Sequence, residues 1–573
     1  MKATDYIIDF LSSKGITDMF GYPGGVICHL MDSASKYSDS IKAHTNYHEQ
    51  GAAFAACGYA QSSKKPGVAY ATSGPGATNL VTGIANAYFD SVPAIFITGQ
   101  VDTYAVKGDL NIRQRGFQET DIVSIVKSVT KYCVYVENPE KLRYYIEKAY
   151  WMATNGRPGP VLLDIPADVQ RSEIQVEEQL GFFPDKEKLI TNIESVSGET
   201  ERIVKALQKS KRPCFLIGSG IKQSGQEFIF RKIAEKLNIP VVSSMPAFDL
   251  LPYKHKLNFG FVGANGHRYA NFVLGKSDLV ITLGSRLDLK QVGNNRSLFA
   301  SNARLIRIDV DAGELTYKVR DDEEQIVADL KNLIPDLALD VKFVGTDYDE
   351  WVDICEIIRD KLKGIDEEIY HKLIAEVSER VPENVGITAD VGHHEVWVAQ
   401  SYRVKENQSV YISGGLGSMG YSLPAAIGIY YGSKLPVICF NGDGGLQMNI
   451  QELQFIRREN LPIKVIVINN YALGMIRHFQ EKNFNANYVQ TTNDSGYTAP
   501  DFSKIAAAYE LDYYRVERIE DVENIDFCST EPALIEICVP INTYLVPNFG
   551  YKGPLHDQDP PINRELYDYI MSL

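Results

Sequence analysis

Residues 441–475 read NGDGGLQMNIQELQFIRRENLPIKVIVINNYALGM. An apolar run at 435–440 leads in, another at 463–468 lies near the end, and a helix-like segment separates them. Strand, turn, helix, strand is the unit of a parallel sheet, and its polar groups fall where strands end and ligands bind. Gly442, Gly444 and Gly445 let the backbone turn tightly beside something bulky, while Asp443 offers a hard carboxylate. Asn469 and Asn470 close the next strand with amide oxygens. A carboxylate, an amide oxygen and a main-chain carbonyl suit Mg²⁺, which keeps phosphate oxygens and water as further ligands. Taken singly, Asp-Gly and Asn-Asn are ordinary turns.

Working outward, 573 residues exceed one core and predict three domains. The expected bounds are 1–165, a linker at 166–194, a middle domain at 195–345, a linker at 346–364, a last domain at 365–550 and a tail at 551–573. A net charge of -15 argues against non-specific binding to nucleic acid or anionic membrane. The eight cysteines form no CxxC pair, and a buried thiol is the default for most of them. The N-terminal segment has no signal-peptide apolar region and no run reaches transmembrane length, so a cytoplasmic location is expected.

GDG followed by NN at this separation resembles the cofactor motif of thiamine-diphosphate (ThDP) enzymes. The resemblance implies that Asp443, Asn470 and the main-chain carbonyl of Ala472 hold Mg²⁺ and the diphosphate. Upstream, the strand at 386–390 leads into VGHHEVWVAQ and then GGLGSMGYSLPAAIG at 414–428. The small residues permit close backbone approach, and a helix beginning near Ser422 has a positive end able to face phosphate. The resemblance makes Met419 the wedge that folds the two rings of ThDP together. His394, Gly417, Gly442, Gly444, Gly445, Gly474 and Met475 join the cofactor set on the same ground.

The first domain predicts an amphipathic helix at 3–14 and strands at 67–71, 94–98 and 161–165, the alternation of a doubly wound parallel sheet. Pro23 and Gly24 lie in a loop after a short strand. Gly74-Pro75-Gly76 with Asn79 makes a glycine-lined loop entering a helix. Glu49 sits in NYHEQGAAFAACGYAQ among alanines that leave little bulk, a setting suited to a group that shares or exchanges a proton. HEQGAAFAACGYA resembles the motif whose glutamate hydrogen-bonds the aminopyrimidine N1′ in thiamine enzymes, which implies that role for Glu49. Residues 108–123 read as a loop feeding a helix. Phe117 and Gln118 match the Phe-Gln pair at the reaction centre of acetolactate synthases, and Lys131 matches another residue of that substrate region. Arg113 and Arg115 have no counterpart in the pattern.

The middle domain predicts helices at 199–208 and 228–237 and strands at 213–217, 239–243, 279–283 and 305–309. Gly218-Ser219-Gly220 alone is too weak for a dinucleotide fingerprint. The region resembles the central domain of acetolactate-synthase-type enzymes through GSRLD at 284–288, IDVDAGEL at 308–315 and VADL at 327–330. In that family the domain holds FAD structurally. FAD is therefore expected against Gly218, Ser219, Gly220, Gly284, Ser285, Arg286, Asp309 and Asp329.

The whole is expected to be three doubly wound α/β domains forming a ThDP-, Mg²⁺- and FAD-containing decarboxylase and carboligase, with a 2-keto acid donor. The resemblance implies an obligate homodimer or homotetramer with sites at subunit interfaces, and allows a small regulatory subunit. The acceptor pocket departs from the family: Ala264 stands where a methionine is usual, Lys290 for an arginine and Phe479 for a tryptophan. Arg113 and Arg115 add charge beside Phe117. Two readings of the acceptor stay open, a second pyruvate giving acetolactate, or a larger carbonyl such as a nucleotide-linked keto-sugar or an aldehyde. A catalytically silent thiamine-fold protein and a nicotinamide dehydrogenase are the competing classes. Intact Glu49, Asp443 and Asn470 oppose the first, and the missing GxGxxG opposes the second. The proline-rich tail reads as a lid or a packing strap.

Overall fold

The computed structural model describes residues 1–184, 196–548 and 553–573. Most of the expected linker at 166–194 is seen, but its residues 185–194 lie outside the described residues, as do 549–552 at the junction with the tail. Three six-stranded sheets, parallel throughout, account for the strands.

The first contains β1 (Asp18–Gly21), β2 (Lys42–Thr45), β3 (Gly67–Ala71), β4 (Ala94–Gln100), β5 (Tyr132–Tyr135) and β6 (Pro160–Pro166), in the order β2-β1-β3-β4-β6-β5. The second contains β7 (Pro213–Ile217), β8 (Val241–Ser243), β9 (Asn258–Phe261), β10 (Leu279–Leu283), β11 (Arg304–Asp309) and β12 (Glu324–Val327). The third contains β13 (Gly386–Ala389), β14 (Ser409–Ile412), β15 (Val437–Gly442), β16 (Ile463–Asn469), β17 (Asp512–Val516) and β18 (Ala533–Cys538), in the order β14-β13-β15-β16-β18-β17. The first and third sheets thus share one topology. The second runs β9-β8-β7-β10-β11-β12, which is the 3-2-1-4-5-6 order of dinucleotide-binding sheets, with its switch point between β7 and β10.

One core spans the first and third domains. Helix Glu49–Ser63 lies against helix Ser422–Ser433 so closely that a Cβ at Gly58 would enter the Ala425 carbonyl, and one at Gly428 the Ala55 carbonyl. Tyr421 sits in the same core, edge-on to Phe54 at 5.5 Å. Burying a large apolar side chain contributes about 1.5–3 kcal/mol, so this seam is a major source of cohesion.

One segment expected as a linker is a packed helix. Residues 346–364 hold the helix Asp349–Leu362, docked by buried Trp351, whose Nε1 donates to Pro213 O at 2.9 Å. An indole with a satisfied N–H is an anchor, so this segment belongs to the middle domain's packing. The tail ends in helix Arg564–Ser572, which packs Ile570 against Phe272, Ile358 and Leu362. No helix among the described residues is long and apolar enough to cross a membrane.

Candidate active site

Two polar clusters form at the carboxyl ends of the first and third sheets. In the first, Glu49 opens helix Glu49–Ser63 and is buried; Asn79 Nδ2 donates to its Oε2 at 2.9 Å. A Cβ on Gly76 would stand 3.2 Å from Glu49 Oε1 and 2.8 Å from Thr72 Cγ2, and one on Gly24 would stand 2.5 Å from Thr72 Cβ. The Pro23-Gly24 loop, the Gly74-Pro75-Gly76 loop, Asn79 and Glu49 therefore converge. Gln118 joins them: a Cβ on Gly74 would meet Gln118 Cβ at 2.9 Å. Gln118 holds φ at +63°, a left-handed conformation that costs a non-glycine residue on the order of 1 kcal/mol. Phe117 beside it is 84% exposed, and the Arg113 and Arg115 side chains are exposed with no ion pair among the described residues.

Lys131 is not part of this cluster. It precedes β5 at the amino edge of the sheet, where Nζ donates to Asn155 O at 2.8 Å and Arg157 O at 2.6 Å. These carbonyls follow the C-terminus of helix Leu142–Thr154, where a cation is favoured. Burial lowers its ammonium to about 8. The resemblance put Lys131 in the substrate region; within this single chain its ammonium is held by these two carbonyls, apart from the Glu49 cluster.

In the third domain, Asp443 opens the short helix Asp443–Met448 at the end of β15. Its Oδ1 accepts from Gly444 N at 3.0 Å, but Oδ2 is buried with no partner. Burial pushes this carboxyl up to about 7. Nearby, Asn470 Oδ1 accepts from Ala472 N at 3.3 Å, and Tyr471 between them turns at φ +58°. A Cβ on Gly474 would overlap the Asn470 amide. The His394 ring lies between the backbones of Gly392 and Gly442, 2.7 and 2.8 Å from where their Cβ atoms would be. Its Nε2 and both nitrogens of His393 lack partners; burial lowers both imidazoles to about 3, so they are neutral at pH 7. Met419 reaches over Gly444, its Cε 3.6 Å from the Cβ position there, and Gly417 turns at φ +72° just before it. Met475 packs into the third-domain core.

One element differs from expectation. The N-terminus of helix Ser422–Ser433 is capped by Asp390, whose carboxylate accepts from Gly420 N at 2.9 Å and Tyr421 N at 3.0 Å. Its positive end is therefore satisfied within the protein, leaving helix Asp443–Met448 nearer the open groups. Gly445 has no room for a Cβ against Asp390 Oδ2.

The donor set fits the expected cofactor. A buried carboxylate oxygen without a partner, an amide oxygen and neutral imidazoles surround a glycine cradle that side chains would fill. Among the described residues no group of three or more His, Cys, Asp or Glu could hold a metal, so an ion here would depend on oxygens of the ligand it accompanies. Sequence reasoning missed Asp390 and Tyr497, whose buried, unpartnered Oη stands 3.3 Å from the Gly444 Cβ position. Asp390 had a signal in its place at the end of a strand before Gly392; Tyr497, in an irregular loop, had none.

In the middle domain the carboxyl ends of β7 and β10 meet at the switch point. A Cβ on Gly220 would stand 2.7 Å from Gly284 Cα, and Gly218 packs on Gly284 O. A cavity of about 250 Å³ opens there, lined by Ser219, Gly220, Gly284, Ser285, Arg286, Asp309 and Asp329 among others. Ala264 and Lys290 are adjacent, with Ala264 N donating to Lys290 O at 2.8 Å. Phe479 is 57% exposed on helix Gly474–Asn483, edge-on to Phe484 at 5.9 Å.

Comparison with known families assigns residues 1–125 to the thiamine pyrophosphate enzyme N-terminal TPP binding domain, 200–337 to the central domain and 390–537 to the C-terminal TPP binding domain. The chain is 36% identical to the acetolactate synthase large subunit of Lactococcus lactis, over 95% of this chain and 94% of the relative. The chain is a thiamine pyrophosphate enzyme of the acetolactate-synthase-like group. Acetolactate synthase isozyme 2 large subunit of Escherichia coli is 33% identical over 91% of this chain and 92% of its own, and acetolactate synthase 2, chloroplastic, of Nicotiana tabacum is 33% identical over 97% and 85%. The similarity of this thiamine pyrophosphate enzyme to each of these relatives covers 91% or more of the chain. The three doubly wound sheets are its three family domains.

Proposed function

We propose that the chain is a ThDP- and Mg²⁺-dependent decarboxylating carboligase working in the cytoplasm, with a 2-keto acid such as pyruvate as donor. The observation that carries this is Asp443 Oδ2, a buried carboxylate oxygen without a partner in a glycine cradle. Such an atom is costly unless a cation meets it. Asp443, Asn470 and the Ala472 carbonyl would hold the ion, with His394 and Met419 beside the cofactor. Bound ThDP would supply a nucleophilic carbon for the keto group and a cationic ring to accept the electron pair released as CO₂ leaves. Glu49, fixed by Asn79, holds the proton shared with the aminopyrimidine, and Gln118 orients the bound carbonyl.

Glu49 and Asp443 belong to half-sites on different domains, and among the described hydrogen bonds Glu49 bonds only Asn79. Phe117, next to Gln118, and Met448, on the helix that Asp443 begins, are both exposed apolar side chains. These features support a cofactor shared between two copies in a homodimer or homotetramer. The switch-point crevice with its flanking glycines supports structural FAD in the middle domain, readable as a flavin spectrum of the purified protein.

For the acceptor, two pyruvates giving 2-acetolactate is the first reading. A larger, anionic carbonyl is the second, favoured by small Ala264 against Lys290 and by the unpaired Arg113 and Arg115. Lysine in place of arginine replaces a planar fork with a point charge. Incubation with ThDP, Mg²⁺ and pyruvate, alone and with keto-sugar nucleotides or aldehydes, followed by product mass, tests both. No CO₂ release would refute the activity; efficient acetolactate formation with no gain from any larger acceptor would leave the first reading alone.

A further inference from the structure

The loop carrying Ala264 is held from an unexpected direction. Gln558, in the C-terminal tail, is 2% exposed, and its Nε2 faces three main-chain carbonyls: Ala264 O at 2.9 Å, Gly266 O at 3.1 Å and Gly263 O at 3.4 Å. Only the amide nitrogen can face them, because a flipped side chain would set oxygen against three oxygens. The end of the last domain, just before the tail, also touches the loop, where Asn265 Nδ2 donates to Pro547 O at 2.9 Å. Gln400 joins the two, its Nε2 donating to Asn265 O at 2.8 Å and Val546 O at 3.1 Å. Four consecutive loop residues are thus tied to segments hundreds of positions away in the chain.

The neighbouring residue reaches the other wall. Asp559 lies 3.7 Å from Lys482 Nζ, three residues beyond Phe479 on helix Gly474–Asn483. Asp559 is itself paired with Asn548 through N–H to O bonds of 2.7 and 2.8 Å. The same helix is gripped just upstream, where Arg477 Nη1 donates to Ile541 O at 3.1 Å and to Tyr544 Oη at 2.6 Å. The exposed Asp559–Lys482 pair contributes little by itself; the buried amide is the tail's firm attachment, and the guanidinium fixes the helix to the end of the last domain that leads into the tail. Behind them the tail is anchored by its terminal helix on Phe272, Ile358 and Leu362.

We infer that the C-terminal tail is a positioning strap for the acceptor pocket, in which Gln558 fixes the Ala264 wall relative to the helix that carries Phe479. This rests on the reading of Ala264, Lys290 and Phe479 as acceptor walls. Gln558 is a positioning residue, acting through carbonyls of a loop whose N–H groups are already used: Gly263 N donates to Asn271 Oδ1 and Ala264 N to Lys290 O. Gly263 O keeps donors in Asn271 Nδ2 and Gly266 N, each at 3.0 Å, so removing the amide leaves the Ala264 and Gly266 carbonyls without it and loosens the turn, whereas Glu49 and Asp443 keep every contact they have.

The test uses full-length enzyme loaded with ThDP, Mg²⁺ and FAD. Gln558→Met removes the donor at similar volume, and Gln558→Lys returns one. Three readouts are taken: amide hydrogen exchange at 264–266, CO₂ release from pyruvate without added acceptor, and the KM of the best acceptor found. Loss of a buried hydrogen-bond donor predicts exchange and acceptor KM each rising about tenfold in the Met variant, with CO₂ release changed by less than about twofold. Gln558→Lys is expected to recover most of both. Should the Met variant fail to fold, Asn265→Ala, which cuts only the Pro547 tie, must move the same two readouts in the same direction. Unchanged exchange overturns the strap, and so does a parallel fall of CO₂ release and carboligation, which marks a merely structural role. Faster exchange with an unchanged acceptor KM overturns instead the assignment of Ala264 to the acceptor wall, with the decarboxylating activity left standing.

Discussion

Asn449 donates its side-chain amide to Gln50 Oε1 at 3.1 Å, tying the residue next to Glu49 to the end of the short helix that Asp443 begins. Glu452 strengthens the tie, accepting from Asn46 Nδ2 and Tyr47 N, each at 2.9 Å. The elements that begin with Glu49 and Asp443 are therefore set against each other by side chains outside both clusters.

Glu49→Gln is expected to lower turnover by about 100-fold or more, the scale of a lost acid–base group. ThDP affinity should change little, since the amide is isosteric and can still accept from Asn79. Exchange of the C2 proton of bound ThDP, followed by NMR, decides it; a near-normal rate would remove Glu49 from the role.

Asp443→Ala should abolish Mg²⁺-dependent ThDP binding in calorimetry. The wild type carries a pH signature as well. Its free carboxyl titrates near 7, and an ion requires the ionised form, so cofactor affinity should fall as pH drops below about 7, approaching tenfold per unit. Affinity that stays level from pH 8 to 5.5 would place the metal elsewhere.

Glu452 gives a stability signature. Burial raises its carboxyl to about 7 from an ordinary 4.5. A folded value above the unfolded one means the associated stability is complete below about 4.5 and is lost as pH rises through 7. The loss is about 3 kcal/mol by linkage. Thermal unfolding of Glu452→Gln should therefore vary less between pH 5.5 and 8 than that of the wild type; equal slopes would exonerate Glu452.

Gln118→Gly should leave stability within about 1 kcal/mol, because relief at φ +63° offsets the greater freedom of the unfolded chain. Turnover should nevertheless fall by about tenfold or more if the amide orients the carbonyl. A loss of folding without any kinetic effect on the soluble fraction would make the strain purely structural.

Lys290→Arg restores a planar fork beside Ala264 and is expected to shift preference toward small acceptors bearing a carboxylate. Competition between pyruvate and a larger acceptor, scored by product mass, reads this directly. A ratio unchanged from wild type would separate Lys290 from acceptor choice.

Much of this was legible in the chain because central parallel strands are continuous apolar runs. The expected strands at 213–217 and 279–283 coincide with β7 and β10. The strands left unread were largely edges: β2, β5, β9, β12, β14 and β17 each bound a sheet, and short, half-polar segments such as KAHT and EQIV carry no clear period. β18 was the interior exception, its run broken by Glu536, a buried carboxylate that accepts from Asn469 Nδ2 at 2.7 Å. The glycine loops and Glu49 were readable because close approach demands particular residues. Lys131 misled because motif position says nothing about which edge of a sheet a side chain serves. Gln558 could not be foreseen at all, since its three acceptors are main-chain atoms almost three hundred residues away.

The seam at Gly58 and Gly428 bears on how chains of this design diverge. Backbone meets backbone there, so a single added methyl would part the two domains, and substitutions at either glycine are expected to be purged. The walls around Ala264 and Phe479 sit on a loop and an exposed helix, with the tail beside the loop, and neither seam glycine lies on any of the three. Mutations that retune acceptor choice can therefore accumulate in those three segments while inheritance of the proton machinery stays unbroken. Gene duplicates would differ there first, and a library confined to the Ala264 loop, the tail and the part of the helix beyond Met475 would search new acceptors while leaving Gly474 and the Asn470 amide in place.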